Sequence, residues 1–209
     1  MSDSRAGSRD PEDEEILRYT RELFQKIGIR KPEPDTVSWI DRMKASDVIV
    51  AYGEVKLPRQ MKGKLVPEDL KPLIASSTIY YYLMVPKMKR AGLTRLILPL
   101  GLGEIPLVLG IFEFVRLEGS PYSIFLLLGI IVAWVIFALT VLRSYLFGFV
   151  KGLFFAADQR ATSLVGKEAL QVSLGKIRDQ GLEWKYPLTR LGFRPNVNER
   201  IERLQRTRE

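Results

Sequence analysis

Residues Tyr122 to Leu142 read YSIFLLLGIIVAWVIFALTVL, 21 positions without a single charge. At a helical rise of about 1.5 Å per residue, such a stretch reaches roughly the 30 Å of a bilayer's hydrocarbon core. The 20 residues from Leu96 to Val115 are long enough to cross as well, although they contain Glu104 and Glu113. Only Arg116 to Pro121 separates the two, so a tight transmembrane hairpin is expected. Lys87, Lys89, Arg90 and Arg95 precede the first span, Arg143 and Lys151 follow the second, and the loop offers only Arg116 against Glu118. The positive-inside rule then places both termini in the cytoplasm of a multi-pass cell-membrane protein.

The rest of the composition is consistent with that reading. Of 209 residues, 46% are hydrophobic, and they concentrate between Leu96 and Val150 while both flanks are charged. The net charge of +8 suits cytoplasmic Lys and Arg meeting anionic lipid headgroups. Basic residues alternate with acids and form no aromatic-studded stripe, which argues against nucleic acid. There is no cysteine and no histidine, so the imidazole and thiolate ligands of ordinary zinc sites are missing. Asparagine occurs only at Asn196 and Asn198. Depletion of labile residues beside many charges is a thermophile pattern.

Four segments follow from these boundaries: a polar, disordered tail over 1–13, a cytoplasmic N-terminal part over 14–95, the hairpin over 96–142, and a cytoplasmic C-terminal helical part over 143–209. The tail has no basic start followed by an apolar run, so it does not read as a signal peptide. Ile16, Leu17, Leu23, Phe24 and Ile27 predict an amphipathic helix over 14–27, with Gly28 as its stop. Lys31-Pro32-Glu33-Pro34 reads as an extended linker. Val48 to Tyr52 and Glu54 to Leu57 read as strands. Pro67-Glu68-Asp69 opens a helix that Pro86 should kink or end. Leu153 to Ile177 reads as one helix. The charged tail from Asn198 to Arg208 carries a thin apolar stripe at Ile201 and Leu204. The fold class expected is a mainly α membrane protein with a helical cytoplasmic domain and a small β element.

Three pieces of sequence carry a family likeness. The first is Leu65-Val66-Pro67-Glu68-Asp69-Leu70-Lys71-Pro72-Leu73-Ile74-Ala75, followed by Ser76-Ser77-Thr78-Ile79-Tyr80. The second, after the hairpin, is Phe154-Phe155-Ala156-Ala157-Asp158. The third is Arg194-Pro195 with Glu199-Arg200-Ile201 and Leu204. In order and setting they resemble the integral-membrane zinc metalloproteases related to the heat-shock protease HtpX and the CAAX prenyl protease. The resemblance covers roughly Val48 to Leu204 and implies a degenerate gluzincin-like fold. In that family two histidines at i and i+4 share a helix face, and the glutamate between them polarises the zinc-bound water. The resemblance puts Ser76 at the first histidine position, Ser77 at the glutamate position, Tyr80 at the second histidine position and Phe154 at the third ligand position. Asp158, which supports the family's site from behind the ligands, is retained.

These changes imply no zinc, no cofactor and no proteolysis. The preferred reading is a non-catalytic pseudoprotease acting as a scaffold or accessory subunit among other membrane protein subunits. One alternative is a substrate-binding or regulatory pseudoprotease in membrane protein quality control. Another is a hydrolase with an unrelated, metal-independent site, such as a pairing of Ser76 or Ser77 with Lys71 or Lys87. Glu104 is a separate candidate for partner binding. It lies about 12 Å along the helix from Leu96, where carboxylates usually face protein or water. Pro99, Gly101, Gly103, Pro106 and Gly110 surround it and would let another helix approach closely.

Overall fold

The computed structural model describes residues 10–30, 33–116, 122–183 and 194–206. Residues 1–9, Lys31 and Pro32, 117–121, 184–193 and 207–209 lie outside the described residues. The protein is mostly helical, with one small sheet and two long apolar helices. It divides into two compact units: residues 1–85 with 153–209, and residues 86–152.

In the first unit, α1 spans Pro11–Ile27. It begins before the expected Glu14, so residues 11–13 are helical rather than part of a disordered tail. Pro11 suits the first turn, Glu12, Asp13 and Glu14 complement the dipole, and the Asp10 carboxylate accepts from the Glu12 N–H at 3.2 Å. At the other end Gly28 takes φ 74°, and the Ile29 N–H reaches back to the Phe24 carbonyl at 3.0 Å. That is the glycine-closed C-terminus the sequence suggested. The sheet has three strands in the order β1-β3-β2: β1 (Thr36–Ile40), β2 (Ile49–Ala51) and β3 (Glu54–Pro58). β2 and β3 are antiparallel and β1 runs parallel to β3. β1 has no counterpart among the expected strands. It is tied to α1 by the Trp39 indole N–H, which donates to Asp13 Oδ1 at 2.8 Å.

α2 spans Pro67–Ile79, with Glu68 and Asp69 in its first turn. Of the two outcomes expected at Pro86, a kink or an end, the end does not occur, and the helical run continues past it. Residues Tyr80–Met84 widen to i→i+5 bonding, with the Val85 N–H on the Tyr80 carbonyl, and α3 continues over Val85–Gly92. The widened turn shifts the hydrogen-bond register just where proline lacks its donor. The single helix expected from Leu153 to Ile177 is two, α6 (Lys151–Val165) and α7 (Lys167–Asp179). Gly166 stands between them at φ 88° and ψ 144°, a conformation that strains any residue with a Cβ. α8 spans Val197–Arg206 and opens on a reciprocal cap. The Glu199 N–H donates to Asn196 Oδ1 at 2.8 Å, and the Asn196 N–H donates to Glu199 Oε2 at 3.0 Å.

These elements enclose one core. α1 packs on α2, α2 on α7 and β2, and α7 on α8. Phe24, Leu57, Met61, Leu70, Ile74, Leu170, Leu174 and Ile177 are fully buried there. Lys176 of α7 reaches Asp69 of α2 at 2.7 Å across the edge of this core.

In the second unit, α4 (Leu98–Arg116) and α5 (Ser123–Arg143) pack side by side. A Cβ on Gly103 would lie 2.3 Å from Phe137, and one on Gly110 would lie 2.4 Å from Ile130. The paired positions run in opposite senses, so the helices are antiparallel, and the missing side chains set how closely they approach. The long helical runs Pro67–Arg116 and Ile124–Val165 each contain a stretch long and apolar enough to cross a membrane. Most of the protein's exposed large apolar side chains, from Leu93 to Leu142, lie in this unit.

Candidate functional site

Three helices of the first unit bring the motif residues together. α2 carries Ser76 and Ser77 on its last turn, with Tyr80 just beyond, and α6 carries Phe154 and Asp158 four residues apart on one face. Ser76 Oγ donates to Asp158 Oδ1 at 2.5 Å. Ser77 Oγ donates to the Val48 carbonyl at 2.7 Å and accepts the Val50 N–H at 3.1 Å. Ser77 therefore closes the free edge of β2 with its side chain. The Tyr80 ring stacks on Phe154, with centroids 3.7 Å apart and planes 19° from parallel.

Asp158 is the centre of a buried network. α8 contributes Arg200, whose Nε and Nη2 donate to Asp158 Oδ2 and Oδ1 at 2.8 and 2.6 Å. Nη1 donates to the Ser46 carbonyl at 3.3 Å. Asp158 is 2% exposed and Arg200 5%, so both charges are removed from water and depend on each other. Burial works against the Arg200 charge, but the adjacent Asp158 carboxylate more than offsets it, and the guanidinium pKa lies above its ordinary value. A second cation, Arg194, stands over the Phe154 ring at 5.4 Å, donates to Tyr81 Oη at 2.5 Å and pairs with Asp47 at 3.4 Å. Burial raises the Tyr81 pKa, partly opposed by Arg194.

The donors at these positions do not fit zinc. Ser76 and Ser77 commit their hydroxyls to Asp158 and the strand backbone, Tyr80 packs face to face with Phe154, and Phe154 has no ligand atom. No cluster of three acidic side chains able to hold a metal ion occurs among the described residues. Nor is a Ser-Lys pair assembled around Lys71, whose Nζ lies 3.5 Å from Glu15 and 3.7 Å from Glu68. Lys87 is exposed and belongs to the second unit.

Sequence reading brought out Ser76, Ser77, Tyr80, Phe154 and Asp158, but assigned Arg200 no role. The signal was available: Val197, Ile201 and Leu204 line the buried face of α8, and Arg200 stands between them. A charged residue on an apolar helix face needs a buried partner. Glu104 belongs to the second unit, is exposed, and has no hydrogen bond or ion pair among the described residues, whereas Glu113 pairs with Arg116 at 3.5 Å. The glycines near Glu104 do not all serve one purpose. Gly103 and Gly110 face α5, and only Gly101 opens onto free space.

The chain matches no family model, no curated protein and no solved structure.

Proposed function

We propose that this chain is a non-catalytic, degenerate gluzincin-like relative of the HtpX and CAAX prenyl protease group, acting as a scaffold or accessory subunit of a larger membrane protein complex. The observation that carries this reading is the Tyr80–Phe154 stack at 3.7 Å. Two positions that would be metal ligands in that group are filled by aromatic packing. Asp158, the retained position, is neutralised by Arg200 and holds helices together. In this reading α4 and α5 cross the membrane as a hairpin and both termini are cytoplasmic. The cations Lys87, Lys89, Arg90, Arg95 and Arg143 then meet anionic headgroups.

Native membranes solubilised in mild detergent test it. A fixed stoichiometric assembly containing this chain supports a subunit. A shifting set of damaged membrane proteins favours a quality-control role instead, and a lone monomer contradicts both. Tags at Met1 and Glu209 should be reachable only from the cytoplasmic side and a tag at Gly119 only from outside; opposite accessibility of the termini overturns the hairpin.

A further inference from the structure

The two exposed faces of α4 differ in chemistry. Leu98, Leu102, Ile105, Leu109 and Phe112 form one, all large and apolar, as expected for a surface against lipid tails. Gly101, Glu104, Val108, Ile111 and Val115 form the other, at alternating spacings of three and four, which hold them on one side of a helix. This second face flanks the seam with α5 without belonging to it: a Cβ on Gly101 would meet nothing within 4 Å, whereas Gly103 and Gly110 are filled by Phe137 and Ile130. At its centre is Glu104, six residues from the start of α4 and twelve from its end. That is about 9 and 18 Å from the two ends.

We infer that this face of α4 docks a transmembrane helix of another subunit bearing a lysine or arginine opposite Glu104. The inference rests on the membrane-subunit reading above and names the chemistry of the partner. A carboxylate in hydrocarbon is costly unless paired or hydrated. Gly101, one turn before Glu104, leaves room for a second backbone. A second copy of this chain offers no cation at that depth, because residues 98–115 and 122–142 contain no Lys or Arg.

The test uses the full chain in phosphatidylcholine vesicles with a synthetic 20-residue leucine-alanine helix as probe, carrying either Lys or Leu at its centre. Association is read by energy transfer between labels. The wild type should favour the Lys probe by about tenfold, the size of interhelical polar contacts measured in model membrane helices. Glu104→Leu and Glu104→Gln should lose that preference, and Glu104→Lys should transfer it to a probe carrying Glu. Protease protection verifies that each variant inserts, and the charge-reversed variant decides the matter should Glu104→Leu fail to do so. Equal binding of both probes by the wild type overturns the inference, as does self-association that Glu104→Leu abolishes. If native membranes hold a stoichiometric complex but the Lys probe is not preferred, only this inference fails. If the chain is a monomer there, the subunit reading fails whatever the probe shows.

Discussion

Arg200 lays its Nε and Nη2 against the two carboxylate oxygens of Asp158 at 2.8 and 2.6 Å, joining α8 to α6 inside the core. Ser76 adds α2 to the same carboxylate. Because both charges are buried, removing one leaves the other without compensation. Arg200→Met or Asp158→Leu alone should destabilise the protein by about 3–5 kcal/mol, while the double variant should recover most of that loss. Urea unfolding in detergent micelles, followed by circular dichroism, measures all three. Single losses below about 1 kcal/mol would show the pair to be solvated and peripheral.

The glycine seam of the second unit makes a different demand. A side chain at Gly103 would collide with Phe137. Gly103→Val should therefore push α4 from α5 and cost about 1–3 kcal/mol, as overpacking does, and adding Phe137→Ala should relieve it. Cysteine cross-linking between α4 and α5 reads the separation directly. Undiminished cross-linking in Gly103→Val would mean that the helices do not meet there.

Tyr52 has φ 55° and is fully exposed, beside Gly53 at φ 79° in the two-residue turn between β2 and β3. Both turn residues need positive φ, which asparagine tolerates and tyrosine resists. Tyr52→Asn should stabilise by about 0.5–1 kcal/mol, measured as a shift in the urea midpoint. A loss would show that the Tyr52 side chain contributes contacts the fold depends on.

Much of this fold is legible from residues 14–28, 67–79, 96–116 and 122–142, where periodicity, caps and unbroken apolar runs act locally. β1 is not, because its pairing with β3 spans the intervening β2 and depends on that tertiary contact. The break at Gly166 is hidden by helix-forming residues on both sides, and the continuation past Pro86 depends on a widened turn that no composition signals. At the site, the motif positions are visible along the chain. Their purpose is not, since the bond from Asp158 to Arg200 spans 42 residues. Among the glycines near Glu104, the sequence does not tell that Gly103 and Gly110 admit α5 of the same pair.

Tyr19 supplies a pH dependence. Its hydroxyl is buried without a hydrogen-bond partner, and burial, helped by Glu22, pushes its pKa up to about 12. The unfolded phenol ionises near 10, so the folded state keeps a proton that the unfolded state loses. This contribution is fully present below pH 10 and lost as pH rises toward about 12. Tyr19→Phe should flatten the decline in stability across that window and leave stability at pH 7 unchanged or slightly higher. An identical alkaline decline in both proteins would remove Tyr19 as its source.

On the proposed reading, Tyr80 and Phe154 serve packing where relatives would hold a metal. Elemental analysis of the purified, mildly dialysed full chain tests it most directly, alongside Phe154→Ala, which removes the ring stacked on Tyr80. Neither protein should hold stoichiometric zinc, and Phe154→Ala should lose stability, of which about 0.5–1.5 kcal/mol is the aromatic pair itself. One tightly held zinc per wild-type chain would contradict that reading.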